Sequence, residues 1–123
     1  MVILQAGSVG SPVAIAGTVG LFALFLSVTA HIAARNVLGD VEVKKAFVVG
    51  PLPAAIAVVS AAFGLNPFVA ILVAIAVDAT AISLLYGQSR RLTAYVTAIH
   101  IVVSILLGTV LFGLVFILGS APG

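Results

Sequence analysis

The sequence contains no cysteine, which excludes disulfide bonds, thiolate metal ligands and thiol nucleophiles. It also lacks the GxGxxG, P-loop, HExxH and GxSxG patterns of nucleotide-binding proteins, metalloproteases and serine hydrolases, and it has no spaced pair of carboxylates. These absences remove the common sources of catalytic chemistry. We therefore expect no enzymatic activity, no cofactor and no metal site.

Charged side chains are scarce, since the 123 residues include five Lys or Arg and three Asp or Glu. A water-soluble fold of this length covers itself with polar side chains, whereas 63% of these residues are hydrophobic and the mean hydropathy is +1.43. The composition therefore indicates an integral membrane protein. Because basic residues beside long apolar runs act as topology signals, the net charge of +2 does not predict a nucleic-acid partner.

Four apolar stretches predict four transmembrane helices, over residues 12–34, 46–63, 67–86 and 92–118. Nothing in the sequence suggests a second domain, so we interpret residues 1–123 as one all-α, antiparallel four-helix bundle. The segment before Pro12 has no Lys or Arg ahead of its apolar run, unlike a secretory signal peptide. We expect it to be a short, irregular tail that is retained.

The second apolar stretch is interrupted early, by Gly50, Pro51 and Pro53. Either its helix starts near Glu42 and bends at the prolines, or a separate interfacial turn precedes the helix. We favour the bend, because proline is well tolerated in membrane helices. Carbonyl groups freed by such a break contribute to binding sites in some transporters, although a simple kink is the more common outcome.

All the basic residues fall in two segments, 35–45 and 87–91, which connect the first helix to the second and the third to the fourth. These residues are Arg35, Lys44, Lys45, Arg90 and Arg91. In a four-helix bundle both segments lie on the same side of the membrane, and the positive-inside rule makes that side cytoplasmic. We therefore predict a multi-pass protein of the cell membrane with both termini outside.

Three ionisable side chains fall within the predicted spans. Counted from the adjacent charged loop, Asp78 and His100 both lie about 13 Å deep, so they should be level with each other. His31 lies only about 6 Å from the same boundary. We interpret His31 and the neighbouring Arg35 as interfacial residues, which are too far from the other two for a shared metal site.

Small and polar residues at spacings of three and four predict which helix faces pack together. On the last helix this face combines hydroxyls with an imidazole, in the series Thr93, Thr97, His100, Ser104 and Gly108. On the first helix it consists of Ala16, Gly20, Ala23, Ser27, His31 and Ala34. We therefore predict an intramembrane polar site that comprises Asp78, His100, Thr97 and Ser104.

Two interpretations of this site stay open. An ionised carboxylate at mid-membrane costs at least ~2.5 kcal/mol, and such residues often mark ion or proton pathways. A protonated or hydrogen-bonded Asp78 would instead join helices, at ~0.6 kcal/mol per contact. We favour an accessory or structural membrane component, and the alternative is a proton-linked transporter or channel subunit that uses Asp78 and His100. Four close-packed helices leave no solute pathway, so transport would need a homo-oligomer or a larger complex in the lipid bilayer.

The chain as a whole is rich in Ala, Val and Gly, and RNVLGDVEVKK and GQSRR are its charged loops. In these features it resembles the uncharacterised small membrane proteins of halophilic archaea. The resemblance implies a four-span membrane protein with no assigned role, and it transfers no functional residue to this chain.

Overall fold

The computed structural model describes residues 11–120 of the chain, which are helical apart from short connections. The helices are α1 (Pro12–Leu38), α2 (Val43–Val49), α3 (Pro51–Ala62), α4 (Pro67–Tyr86) and α5 (Arg90–Ser120). Because α2 and α3 together make one span, Val43–Ala62, four helices are long and apolar enough to cross a membrane. The predicted all-α class and four membrane-capable helices are thus confirmed. The predicted irregular tail, apart from Ser11, lies outside the described residues.

Three of the four spans differ from their predicted bounds. The first continues past residue 34 to Leu38, the second covers 43–62 instead of 46–63, and the fourth covers 90–120 instead of 92–118. At Arg35, Lys45 and Arg91 the prediction ended the helix beside a charged residue, but charge does not interrupt backbone hydrogen bonding. Arg35 lies in the last turn of α1, where its long side chain stays exposed and forms an ion pair with Asp40 at 3.2 Å.

The bounds of α4 agree with the prediction because residues at both ends fix them. Asn66 Oδ1 accepts hydrogen bonds from the backbone N–H groups of Phe68 at 2.9 Å and Val69 at 3.3 Å. Pro67 takes the first helical position, where its missing N–H costs nothing. At the other end Gly87 adopts a left-handed conformation with φ of 61°, which a residue without Cβ tolerates.

The chain stays helical through Gly50, which separates α2 from α3 with φ of −59° and ψ of −44°. The Gly50 N–H donates to the Ala46 carbonyl at 2.9 Å, while the Gly50 carbonyl accepts from Ala54 at a longer 3.4 Å. Pro51 and Pro53 have no N–H to donate, so two further helical bonds are missing here. The second span is therefore a single helix interrupted at the prolines, as in the favoured interpretation, and no separate interfacial turn precedes it.

The second span crosses the first at Gly50, which is buried against Ser27. A Cβ atom built on Gly50 would lie 2.6 Å from the Cα atom of Ser27, and closer still to its backbone nitrogen and its hydroxyl. Real Cβ atoms do not approach backbone atoms so closely. Only glycine fits at this crossing.

The four spans form a closed ring, in which α1 and α4 each lie against both α3 and α5. Buried side chains concentrate beside the connections 39–42 and 87–89. In α1 no residue before Leu26 is buried, and in α5 no residue after His100 is buried. At about 1.5 Å per residue, α1 and α5 are about 40 and 46 Å long, so they extend past the shorter α3 and α4 and expose apolar side chains at that end.

The packed face predicted for the first helix is therefore only partly right. Ser27 and Ala34 are buried, but Ala16 and Gly20 are exposed. Small residues occur on every face of so Ala- and Gly-rich a helix, and their spacing does not reveal where neighbouring helices diverge.

Candidate functional site

The structure brings Asp78 of α4 and His100 of α5 into direct contact. His100 Nδ1 lies 2.6 Å from Asp78 Oδ2, and the two side chains are 3% and 6% exposed, respectively. A hydrogen bond this short is typical of a bond that involves a charged group or an acid. The two residues therefore form a buried, strongly hydrogen-bonded pair between the third and fourth spans.

The other nitrogen of His100 reaches the first span. His100 Nε2 lies 3.1 Å from the carbonyl oxygen of Leu26 and 3.0 Å from Thr29 Oγ1. Ser104, one turn further along α5, donates its hydroxyl to Thr29 Oγ1 at 2.8 Å. The network therefore joins α1, α4 and α5.

The hydroxyl of Thr29 also bonds within its own helix, where it donates to the Leu26 carbonyl at 3.1 Å. In this orientation Thr29 Oγ1 is an acceptor for its other partners, and a proton on His100 Nε2 would be donated to it or to the Leu26 carbonyl. If the Thr29 hydroxyl turns, it donates instead to an unprotonated Nε2. In either arrangement a proton lies in the bond between His100 Nδ1 and Asp78 Oδ2. Both tautomers of His100 therefore satisfy the network.

One oxygen of the pair is left over. Asp78 Oδ1 is buried and has no hydrogen-bond partner among residues 11–120. The Asp78 side chain also borders a cavity of about 290 Å³ between α4 and α5, with Leu26 and Pro53 at its sides. Apart from Asp78, His100 and Ser104, the residues that line this cavity are apolar. Asp78 thus borders an otherwise apolar space, while its unpartnered Oδ1 atom is itself buried.

Of the residues predicted for the polar site, the structure separates Thr97 from the pair. Thr97 is buried, but its hydroxyl donates to the Thr93 carbonyl of its own helix at 2.8 Å, so it does not take part in the network. His31, which was predicted to be interfacial, is half-buried, and its Nδ1 has no partner among the described residues. Of the predicted hydroxyl residues, Ser104 alone reaches another span.

The basic residues predicted to set the topology lie at the ends of the helices. Lys44, Arg90 and Arg91 are exposed. Lys45 Nζ lies 5.5 Å from the centre of the Tyr86 ring, a cation–π contact that connects α2 to α4. The basic residues are therefore surface charges at the end of the bundle where the helices pack together.

Sequence reasoning missed Thr29 and the Leu26 carbonyl, which hold His100 from the side of α1. The predicted face of the first helix passed through Ser27 and His31, on either side of Thr29. A backbone carbonyl has no sequence signal at all. The hydroxyl of Thr29 did offer one, since a Thr at the depth of an intramembrane His is a candidate partner for it.

A family model described as a family of unknown function (DUF7473) matches residues 9–122. The match spans the whole bundle and includes Asp78 and His100. No curated protein and no solved structure matches the chain.

Proposed function

We propose that the chain, which belongs to DUF7473, a family of unknown function, is a non-enzymatic, multi-pass protein of the cell membrane with a structural or accessory role. The observation that carries this proposal is the hydrogen-bond network of Asp78 and His100, which links three spans. Both nitrogens of His100 and the hydroxyls of Thr29 and Ser104 are bonded, so these groups are used in holding helices together.

The place of the network in the bundle supports this role. Leu26 is the first buried residue of α1, Asp78 is the first of α4, and His100 is the last of α5. The network therefore lies at the outer edge of the packed half of the bundle, beyond which α1, α4 and α5 have no buried residues. Because lipid supplies no hydrophobic force between helices, polar bonds at this edge add stability that apolar contact with lipid cannot.

Flux measurements in proteoliposomes test the structural role. With a pH gradient imposed, wild-type protein is expected to dissipate the gradient no faster than empty liposomes, from acidic to alkaline pH. Asp78→Asn is the matched variant, because an amide keeps a donor and an acceptor at this position but does not titrate. A pH-dependent flux in wild type that Asp78→Asn abolishes, with folding and oligomer size unchanged, would contradict the structural role.

A second candidate, a proton-linked transporter or channel subunit, is favoured by the unpartnered Asp78 Oδ1 and the cavity beside it. Intramembrane carboxylates that border cavities commonly serve as proton or ion sites. Here Asp78 and His100 would take up and release a proton in turn. A pathway for the solute would have to come from a homo-oligomer or from a larger membrane complex.

The orientation we propose places both termini outside the cell, since every basic residue lies beside the connections 39–42 and 87–89. The absence of native cysteine makes labelling a direct test. An impermeant maleimide added to intact cells is expected to label Leu65→Cys, and to label Gln88→Cys only after permeabilisation. Both positions are exposed at helix connections. The reverse pattern would overturn the orientation, and external labelling of both positions would contradict the four-span arrangement.

The lipid bilayer is the first partner in this proposal. Its support is the exposed apolar surface of α1 and α5 beyond the packed half, which includes Leu21, Phe112 and Phe116. Association into a homo-oligomer or a larger complex would cover part of the same surface. That the chain has no enzymatic activity and no nucleic-acid partner stays a prediction.

A further inference from the structure

We propose that residues 1–10 of this chain fold back over the far end of α5 and dock in an apolar groove that Phe112 and Phe116 border. The far end is the end of the bundle opposite the charged connections. Docking rests on the membrane insertion proposed above, but it does not depend on the buried polar network. It assigns an occupant to a surface that the structural role leaves uncovered.

Helix α5 is too long for a bilayer that matches α4. Residues 92–118 contain no Asp, Glu, Lys or Arg and extend over about 40 Å at about 1.5 Å per residue, whereas α4 is about 30 Å long and the hydrocarbon layer is about 30 Å thick. Tilting the whole bundle by about 40° would bring α5 into the hydrocarbon, but α4 would then span only about 23 Å. An orientation that fits α4 therefore leaves roughly 10 Å of α5 beyond the hydrocarbon.

The protruding segment of α5, residues 112–118, is apolar and exposed. The side chains that are 66–78% exposed in it are Phe112, Val115, Phe116, Ile117 and Leu118. Beyond the hydrocarbon these side chains meet headgroups and water, where the hydrophobic effect favours covering them. Lipid tails cover apolar surface within the hydrocarbon, but they do not cover this segment.

A groove on one face of α5 offers a place for an apolar chain to dock. The residues that line the groove all belong to α5 and include Thr109, Phe112, Gly113 and Phe116. A Cβ atom built on Gly113 would meet nothing within 4 Å among the described residues, so the groove is open at this position.

Residues 1–10 precede a residue that lies beside this groove. The Leu26 carbonyl contacts His100, and from that contact Ser11 is 15 residues, about 22 Å, along α1, while Phe116 is 16 residues, about 24 Å, along α5. Because α1 and α5 are antiparallel neighbours, Ser11 lies near the level of Phe116. Ten residues reach at most about 33–36 Å, and the axes of neighbouring helices lie about 8–10 Å apart. The segment is therefore long enough to cross from α1 to the groove.

The composition of residues 1–10 matches the groove. Their sequence, MVILQAGSVG, has no charged side chain and contains the apolar run Met1 to Leu4. A second copy of the chain could also cover the groove, but a tethered segment has an effective concentration in the mM range. The segment within the same chain is therefore the favoured occupant.

Disulfide cross-linking of the full-length chain in proteoliposomes tests the docking, because the native chain has no cysteine. Val2→Cys, Ile3→Cys or Leu4→Cys is paired in turn with Phe116→Cys or with Leu118→Cys. Phe116 and Leu118 are 70% and 68% exposed and differ in height by about 3 Å, but they lie on opposite sides of α5. For the fastest of the three positions, we expect an intramolecular disulfide to form with Phe116→Cys at least tenfold faster than with Leu118→Cys.

Two glycine variants assign the cross-link to the groove. Gly113→Leu fills the groove and should lower the rate of the disulfide with Phe116→Cys at least tenfold. Gly119→Leu is the matched control, because its Cβ atom would also meet nothing within 4 Å among the described residues and Gly119 does not line the groove. The control should leave the rate unchanged.

Equal rates at the two α5 positions, or an unchanged rate in Gly113→Leu, would overturn the docking. A disulfide between two chains would assign the groove to a second copy and would overturn it as well. Alkaline extraction of the vesicles separates this failure from failure of the membrane insertion. A chain that alkali extracts would overturn both, whereas a chain that is retained but not cross-linked would overturn the docking alone.

Discussion

Replacing Gly50 with alanine is expected to destabilise the bundle by about 3 kcal/mol, at the upper end of the usual cost of overpacking. The added Cβ would lie 2.6 Å from the Cα of Ser27, and nearer still to its backbone nitrogen. A flexible side chain could move aside, but these atoms belong to the backbone of α1. The first and second spans would therefore have to separate at their crossing, where Gly50 and Ser27 are both buried.

Unfolding in mixed micelles, followed by circular dichroism as the denaturing detergent is increased, measures this effect. Gly108→Ala is the matched control, because its Cβ would meet the ring of Phe25 at 3.6 Å, an ordinary contact distance. The control should unfold within about 0.5 kcal/mol of wild type. Equal stability of Gly50→Ala and Gly108→Ala would show that the first and second spans do not approach closely at Gly50.

Gly50 also shows how far the sequence could predict the fold. Its neighbours Pro51 and Pro53 marked an interruption, and the structure has one there. The close approach to Ser27 was not predictable. A glycine beside prolines can be needed either for its backbone flexibility or for close contact with a neighbouring helix, and the sequence does not distinguish the two. By contrast, Asn66 and Gly87 are capping residues whose effect is local, so the bounds of α4 could be derived without knowledge of any other helix.

The candidate site was predictable where depth alone decides. Asp78 and His100 were expected to be level because each was counted from a charged loop, and the structure has them in contact. The sequence did not show how each helix is rotated about its axis, and this rotation decides which side chains face the pair. Thr97 turns its hydroxyl to its own helix, while Thr29, which was not predicted, faces His100. Hydroxyl residues can bond either within a helix or across to a neighbour, and sequence does not distinguish the two.

Removing either member of the Asp78 and His100 pair is expected to be the second most damaging change. Asp78→Leu leaves His100 Nδ1 without a partner. His100→Leu leaves Asp78 Oδ2 without its partner and removes one of the contacts of the Leu26 carbonyl and of Thr29 Oγ1. An unsatisfied buried polar group costs about 1–3 kcal/mol. We therefore expect each single variant to lose about 2–3 kcal/mol in the same unfolding assay.

The double variant, Asp78→Leu with His100→Leu, separates a joint contribution from two independent ones. Replacing both members of a buried polar pair by apolar residues leaves fewer groups unsatisfied than replacing one. The double variant should thus be more stable than the sum of the single losses by about 1.5 kcal/mol, near the upper end of hydrogen-bond coupling between membrane helices. Thr97→Val, which alters a hydroxyl bonded within its own helix, should add independently to either single variant. Strict additivity of the Asp78 and His100 losses would mean that the 2.6 Å contact contributes nothing to the bundle, and the structural role would lose its support.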